Sequence, residues 1–322
     1  MSFVAGTMLL AIVTALACAL PGVFVVLRRS SMLVDAISHA VLPGIVVGYF
    51  FTRSLDSPFL IIGAALAGLL VVIGAEWLSR TGLLSGDSPQ GLIFPALFSI
   101  GVILVTLNFA NVHLDTHAVL VGDLNLAAWD QLTIGNTSIG PIYLYVMLGV
   151  LALNIAFLTA FTPKLKLATF DPQFATGIGI RTGLLNTTFM FLVSLTVTAG
   201  FTAAGAILVI ALVVVPPATA YLLSRNLRAM FILTAIIAAG GALGGFWVAY
   251  ALDTATSAGM AVFFGVVFVT VFVAKRVWLR RSRCSHGLHT RRRFSRHSTI
   301  HSTSAAPQAA TSRATRSDAA RR

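Results

Sequence analysis

Long apolar runs separated by short polar connections dominate this chain. A helix needs about 20 mostly apolar residues to cross the hydrocarbon core of a bilayer. Nine runs of that kind occur, each bounded by charge, proline, glycine or asparagine. They predict an all-α polytopic membrane protein with nine transmembrane helices. The predicted spans cover residues 4–27, 33–51, 58–78, 91–109, 139–161, 184–201, 203–223, 230–251 and 255–274.

The boundary between the sixth and seventh spans is the least marked in the sequence. A tight reversal over residues 200–205 gives nine spans, whereas one interrupted helix there gives eight. Short loops rich in Lys and Arg stay in the cytoplasm, and alternate loops of the nine-span arrangement carry eight basic residues on one side and Arg53 on the other. This arrangement places the N-terminus outside and the C-terminal tail inside. The eight cytoplasmic residues are Arg28, Arg29, Arg80, Lys164, Lys166, Arg181, Arg225 and Arg228.

Composition separates an uncharged body from a basic tail. Hydrophobic residues make up 57% of the chain and charged residues 10%, against about 25% charged in soluble domains, so a soluble enzyme is excluded. The net charge of +12 arises beyond residue 274, where 13 basic residues stand against one acid. We predict a transmembrane domain over 1–277 and a basic, disordered cytoplasmic tail over 278–322. Residues 275–283, at the boundary of the two, are expected to lie against anionic membrane lipid, and no nucleic-acid binding is expected.

Asp35 and His39 are the leading candidates for chemistry inside a span. Four residues apart on a helix, they share one face, with about 5 to 6 Å between Cβ atoms. Carboxylate oxygen and imidazole nitrogen then reach one divalent cation. The alternative from spacing alone is structural: Asp35 caps or pairs locally and His39 bonds a carbonyl. A second group, His113, Asp115 and His117 in the outer loop, has similar spacing but is better explained as a solvated loop.

Helix breakers favour a transporter or channel. Proline and glycine recur inside the spans at 21–22, 43–44, 95 and 216–217, where they release backbone carbonyls and bend helices. Broken helices at membrane depth are tolerated where they are packed in protein or line an aqueous path.

The connection after the fifth span predicts a short helix. Asp171 can cap free amides while Pro172 takes the first helical position, with Phe170 and Phe174 on one side. This helix lies in a basic cytoplasmic loop and is either interfacial or a docking element. No Gly-x-x-x-x-Gly-Lys-Ser/Thr motif occurs in the chain, so ATP hydrolysis would come from another polypeptide.

Three segments resemble the permease subunits of bacterial ABC importers for manganese, zinc and iron. DAISHAVLPG at 35–44 resembles the family signature after the first span, FDP at 170–172 resembles the start of its coupling region, and LVVVPPATA at 212–220 resembles its late Pro-Ala-rich span. One departure is Val34, where the family often has glycine. The likeness covers roughly residues 5–275 and leaves the basic tail without a counterpart.

The resemblance implies the permease fold of this metal-uptake family in the bacterial cell (inner) membrane. It implies that Asp35 and His39 bind the transported metal and that the segment from Phe170 to Phe174 docks on the ATPase. It also implies three partners: a cytoplasmic ABC ATPase, a second permease subunit and an extracytoplasmic metal-binding protein. The metal would be substrate, with no permanently bound cofactor and no enzymatic activity in this chain. A cation-coupled secondary carrier and a non-transporting membrane scaffold or sensor are the alternatives.

Overall fold

The computed structural model describes residues 3–52, 59–84, 88–108, 124–134 and 137–294. Nearly all of this part of the chain is helical, with one small hairpin. The elements in chain order are α1 (Phe3–Leu27), α2 (Ser31–Thr52), α3 (Phe59–Arg80), α4 (Ser88–Asn108), α5 (Leu124–Ala127), β1 (Gln131–Ile134), β2 (Thr137–Pro141), α6 (Ile142–Phe170), α7 (Pro172–Gly177), α8 (Thr182–Ala204), α9 (Ala206–Leu223), α10 (Leu227–Ala251) and α11 (Thr256–Phe294).

Every predicted span corresponds to a long helix. Among the described residues, eight helices are long and apolar enough to cross a membrane by length and composition, while α4 contributes a shorter apolar segment, Ser88–Leu104. The prediction of an all-α polytopic membrane protein is confirmed.

A single residue, Gly205, separates the sixth predicted span from the seventh. Its backbone has φ 81° and ψ 161°, a conformation open essentially to glycine alone. A Cβ atom built on Gly200 of α8 would lie 3.0 Å from Cγ2 of Val209 on α9, although nine residues of unbroken helix span about 13 Å. The chain therefore doubles back at Gly205, as the prediction of two separate helices requires.

Helix α1 lies at the centre of the bundle, against α6, α8, α9 and α10. Small residues allow this close packing: a Cβ at Gly22 would overlap the carbonyl oxygen of Val213 on α9. Near its end, the ring of Phe24 makes edge contacts with Phe189 of α8 and Phe231 of α10, at centroid distances of 6.0 and 5.8 Å. Three helices thus meet around one buried aromatic side chain.

Helix α2 packs closely between α3 and α4. A Cβ at Gly44 would overlap the backbone of α3 at Ala64, and a Cβ at Gly101 of α4 would lie 2.8 Å from Cβ of Pro43. Val34, at the position where the resembling family often has glycine, is 1% exposed and fits into the core. These contacts fix the position of α2 along its neighbours.

A buried amide links three helices in the apolar interior. Asn154 of α6 donates from Nδ2 to the carbonyl oxygen of Ala17 at 2.9 Å and to Oγ1 of Thr196 at 3.0 Å. Both Asn154 and Thr196 are at most 1% exposed. Buried polar groups need such partners, because an unpaired group in an apolar medium costs several kcal/mol.

Two features differ from the sequence expectations. The segment between α4 and α6 contains the antiparallel pair β1 and β2, with Gln131 opposite Pro141, where only an outer loop was predicted. The last helix continues to Phe294, past the predicted start of a disordered tail at residue 278, because no proline interrupts this stretch and helix-tolerant Arg and Leu recur in it. The chain divides into compact units after Val273. Tail residues 295–322 lie outside the described part.

Candidate functional site

Asp35 and His39 share one face of α2, one helical turn apart. Nε2 of His39 lies 3.7 Å from Oδ1 of Asp35, and the two side chains are 37% and 42% exposed, respectively. The predicted juxtaposition is confirmed. The carboxylate and imidazole both reach an open side of the helix, where one cation can contact an oxygen and a nitrogen together.

Two aromatic rings of α4 fix the orientation of the His39 imidazole. The Phe94 ring stacks on it at a centroid distance of 5.2 Å and an interplanar angle of 21°, and the Phe98 ring approaches edge-on at 6.2 Å and 83°. This contact could not be predicted from local sequence, since it joins two helices at positions more than fifty residues apart. Groups that orient a ligand are part of any metal site.

Pro43 changes the backbone of α2 beyond His39. Proline has no N–H group, so the regular hydrogen bond from position 43 to the carbonyl oxygen of His39 does not form. The break therefore lies one turn from the Asp35–His39 pair, on the helix that carries it.

The pair is too small to enclose a metal ion by itself. Zinc sites in proteins use three or four side-chain ligands, and no group of three or more His, Cys, Asp or Glu suited to a metal ion occurs in the described ranges. The second sequence candidate, His113, Asp115 and His117, lies outside the described residues. Within the described ranges, therefore, an ion at Asp35 and His39 would take its remaining ligands from water, from the backbone or from another chain.

The predicted short helix after α6 is present as α7, with its predicted cap. Oδ1 of Asp171 accepts a hydrogen bond from the backbone N–H of Phe174 at 3.0 Å, and Pro172 occupies the first turn. Phe170, Phe174 and Ile178 are 63%, 56% and 55% exposed, while Ala175 is fully buried. The segment thus exposes three apolar side chains and packs against the rest of the bundle through the buried Ala175.

Arg28 connects three helices beside α7, an arrangement that the sequence did not reveal. Its Nε donates to Oγ1 of Thr169 at 3.0 Å and its Nη1 donates to Oδ1 of Asn186 at 2.6 Å. Its guanidinium carbon lies 5.1 Å from the ring centroid of Phe189, and burial lowers the pKa of the guanidinium from its ordinary value. From the sequence alone, Arg28 is only one of the basic residues that indicate a cytoplasmic loop. Its hydrogen-bond partners could not be predicted, because they lie more than 140 residues away.

A cavity of about 480 Å³ adjoins this bridge. Arg28, Arg29, Glu76, Thr169, Thr182 and Asn186 are among its lining residues. We call this side of the bundle, where the end of α1, the end of α6 and the start of α8 meet, the basic end.

The long apolar helices, their proline and glycine breaks and an ionisable pair within one span are typical of a polytopic membrane transporter or channel. The chain belongs to the ABC 3 transport family, whose sequence pattern matches residues 1–275. The match ends where the basic tail begins.

Relatives of known name cover most of the chain. It is 44% identical over 265 residues to the zinc transport system membrane protein TroD of Treponema pallidum, covering 82% of this chain and 72% of that protein. It is 40% identical over 273 residues to the manganese transport system membrane protein MntD of Bacillus subtilis, covering 85% and 92%.

Solved structures share the fold. PsaBC from Streptococcus pneumoniae superimposes with a TM-score of 0.69 at 25% identity, covering 84% of this chain and 91% of that chain. A putative metal-chelate type ABC transporter in an inward-facing conformation has a TM-score of 0.60 at 17% identity and shows the fold alone.

Proposed function

We propose that this chain is the membrane permease of an ABC importer that carries divalent transition-metal ions, manganese, zinc or iron, into the bacterial cytoplasm. The observation that supports this best is the Asp35–His39 pair, with 3.7 Å between Nε2 and Oδ1 on one face of α2. Ionisable groups within a span are costly and mark ion paths. Carboxylate and imidazole suit all three metals, and the named relatives transport zinc or manganese.

A second permease subunit, identical or related, covers the open face of the pair. Side chains about 40% exposed in the single chain are costly against lipid, so protein or water must face them. A two-fold partner would add a second carboxylate and imidazole, giving four ligands for zinc or, with water, a set for manganese or iron. Two ligands per subunit let the ion leave when the subunits part.

The basic end faces the cytoplasm and meets a separate ATPase. Loops rich in Lys and Arg stay in the cytoplasm. Arg28 bonds to Thr169, three residues before α7, and Arg181 follows α7 in the chain. The outward side chains of Phe170, Phe174 and Ile178 form an apolar contact surface for the ATPase, with Asp171 and Pro172 setting the start of the helix. Aromatic side chains are enriched at the cores of protein–protein interfaces, and the two exposed phenylalanine rings fit such a contact.

The opposite side receives the metal from an extracytoplasmic metal-binding protein, and the metal is substrate and not a resident cofactor.

The C-terminal tail begins in the cytoplasm, where its first basic residues, from Lys275, anchor the last helix on anionic lipid. Residues 1–277 carry out the transport, so a protein that lacks residues 286–322 still transports the metal.

Uptake by proteoliposomes containing this chain, its partner permease and the ATPase tests the proposal. The expected result is manganese or zinc uptake that requires ATP and persists when ion gradients are dissipated. Uptake that needs a gradient and no ATPase would establish the secondary carrier instead. If none of the three metals is taken up, the result would favour a non-transporting membrane scaffold or sensor.

A further inference from the structure

Arg28 lies at the junction between the helix that carries Asp35 and the segment proposed to contact the ATPase. It follows α1 directly and stands three residues before the start of α2 and seven before Asp35. Its partners belong to the other side of the junction. Thr169 precedes Phe170 at the end of α6, and Asn186 lies in the first turns of α8.

The turn from Arg28 to α2 is tightly bonded. Arg29 has a positive φ of 56°, which a non-glycine residue adopts only at a cost. The backbone N–H of Ser30 donates to the carbonyl oxygen of Val25 at 3.1 Å, and the N–H of Leu33 donates to the carbonyl oxygen of Ser30 at 3.1 Å. A displacement of Arg28 therefore passes to α2 and is not absorbed by a loose loop.

The other side of the junction is equally well fastened. Asp171 caps α7, Ala175 is fully buried, and the N–H of Ile180 donates to the carbonyl oxygen of Ala175 at 3.0 Å. A displacement of the exposed Phe174 ring is thus transmitted to the end of α6 and the start of α8. There, Thr169 and Asn186 bind the guanidinium of Arg28.

The surroundings of the guanidinium allow it to move. Arg28 and its two hydrogen-bond partners, Thr169 and Asn186, line the cavity of about 480 Å³ described above, so the guanidinium is not enclosed by close-packed side chains on every side. An arginine fork can exchange one acceptor for another without losing its charge. The contact is thus strong enough to transmit a displacement and has room to rearrange.

We propose that Arg28, Thr169 and Asn186 form a brace that passes movement of α7 to α2 and so links ATP hydrolysis to the opening of the Asp35–His39 pair. Arg28 is a positioning residue and does not bind the metal. This inference rests on the proposed function, because it presupposes an ATPase at α7 and a metal at α2.

The test measures metal ions taken up per ATP hydrolysed by the complete transporter in proteoliposomes. Arg28→Gln, Thr169→Val and Asn186→Leu each remove part of the brace. Thr169→Ser and Asn186→Asp keep the acceptor oxygens, and Arg225→Gln removes the same charge from an exposed residue between α9 and α10. We expect the ratio to fall about fivefold in the first three variants, at the lower range of coupling between linked sites, and to stay at the wild-type value in the other three.

A merely structural role would lower the amount of assembled transporter and leave this ratio unchanged. An unchanged ratio in Thr169→Val and Asn186→Leu, with wild-type uptake coupled to ATP, would overturn the brace and leave the proposed function standing. These two variants decide the outcome if Arg28→Gln does not assemble. A wild-type complex that hydrolyses ATP but takes up no metal would overturn the proposed function and the brace with it.

Discussion

The Phe94 ring on α4 stacks on the His39 imidazole on α2, with centroids 5.2 Å apart and planes 21° apart. This contact restricts the rotation of the imidazole, so that Nε2 stays on the side of Asp35. The aromatic wall also limits access of water to one face of the histidine. Phe94 is therefore expected to tune the affinity for the metal without contacting it.

Replacing Phe94 by Leu removes the stacking surface and lets the imidazole rotate. The metal concentration for half-maximal uptake should rise about tenfold, the lower end for loss of a group that orients a ligand, while the maximal rate changes less. Phe94→Tyr keeps the ring and should behave as wild type. Leu92→Ala, at an exposed position on the same helix, is the matched control, and an equal rise in this variant would refute an orienting role for Phe94.

The cap of α7 offers a separate prediction about the proposed ATPase contact. Asp171→Ala removes the acceptor for the Phe174 N–H, which costs about 1 kcal/mol of helix stability, whereas Asp171→Asn retains an acceptor oxygen. We expect weaker binding of the ATPase to the alanine variant and nearly normal binding to the asparagine variant, measured by titration of the purified permease in detergent. Equal affinities for the two variants would show that the cap does not matter for docking.

Glycine at position 205 is required by the reversal between α8 and α9. Gly205→Ala forces a Cβ onto φ 81°, ψ 161° and should destabilise the protein by about 1 to 3 kcal/mol. Gly240→Ala on α10, where a Cβ meets nothing within 4 Å, should be neutral or stabilising by up to about 1 kcal/mol. Thermal unfolding in detergent compares them. A similar melting temperature for both variants would contradict the sharp reversal.

The buried amide of Asn154 should contribute to stability in the membrane interior. Asn154→Leu removes the donor to Ala17 and the partner of Thr196, at an expected cost of about 1 kcal/mol. Thr159→Val on the exposed face of the same helix is the control and should change stability little. Equal effects in reversible unfolding would argue against a special role for the Asn154 network.

Local sequence was sufficient for the features that depend on spacing. The long apolar helices of the described part follow from the lengths of apolar runs, the Asp35–His39 contact from a separation of four residues, and the α7 cap from Asp171 followed by Pro172. The contacts of Arg28 with Asn186 and of Phe94 with His39 could not be predicted, because they depend on which helices become neighbours. The extent of the last helix, which runs to Phe294, does not follow from the polar composition beyond residue 277.

The most direct measurement is uptake of radioactive manganese or zinc by the reconstituted transporter carrying Asp35→Asn or His39→Gln. Both substitutions preserve size and remove the metal-binding atom or its charge. We expect metal uptake to be abolished in each while assembly with the ATPase and the melting temperature stay at wild-type values. Normal uptake in both variants would contradict the assignment of Asp35 and His39 as the residues that carry the metal across the membrane.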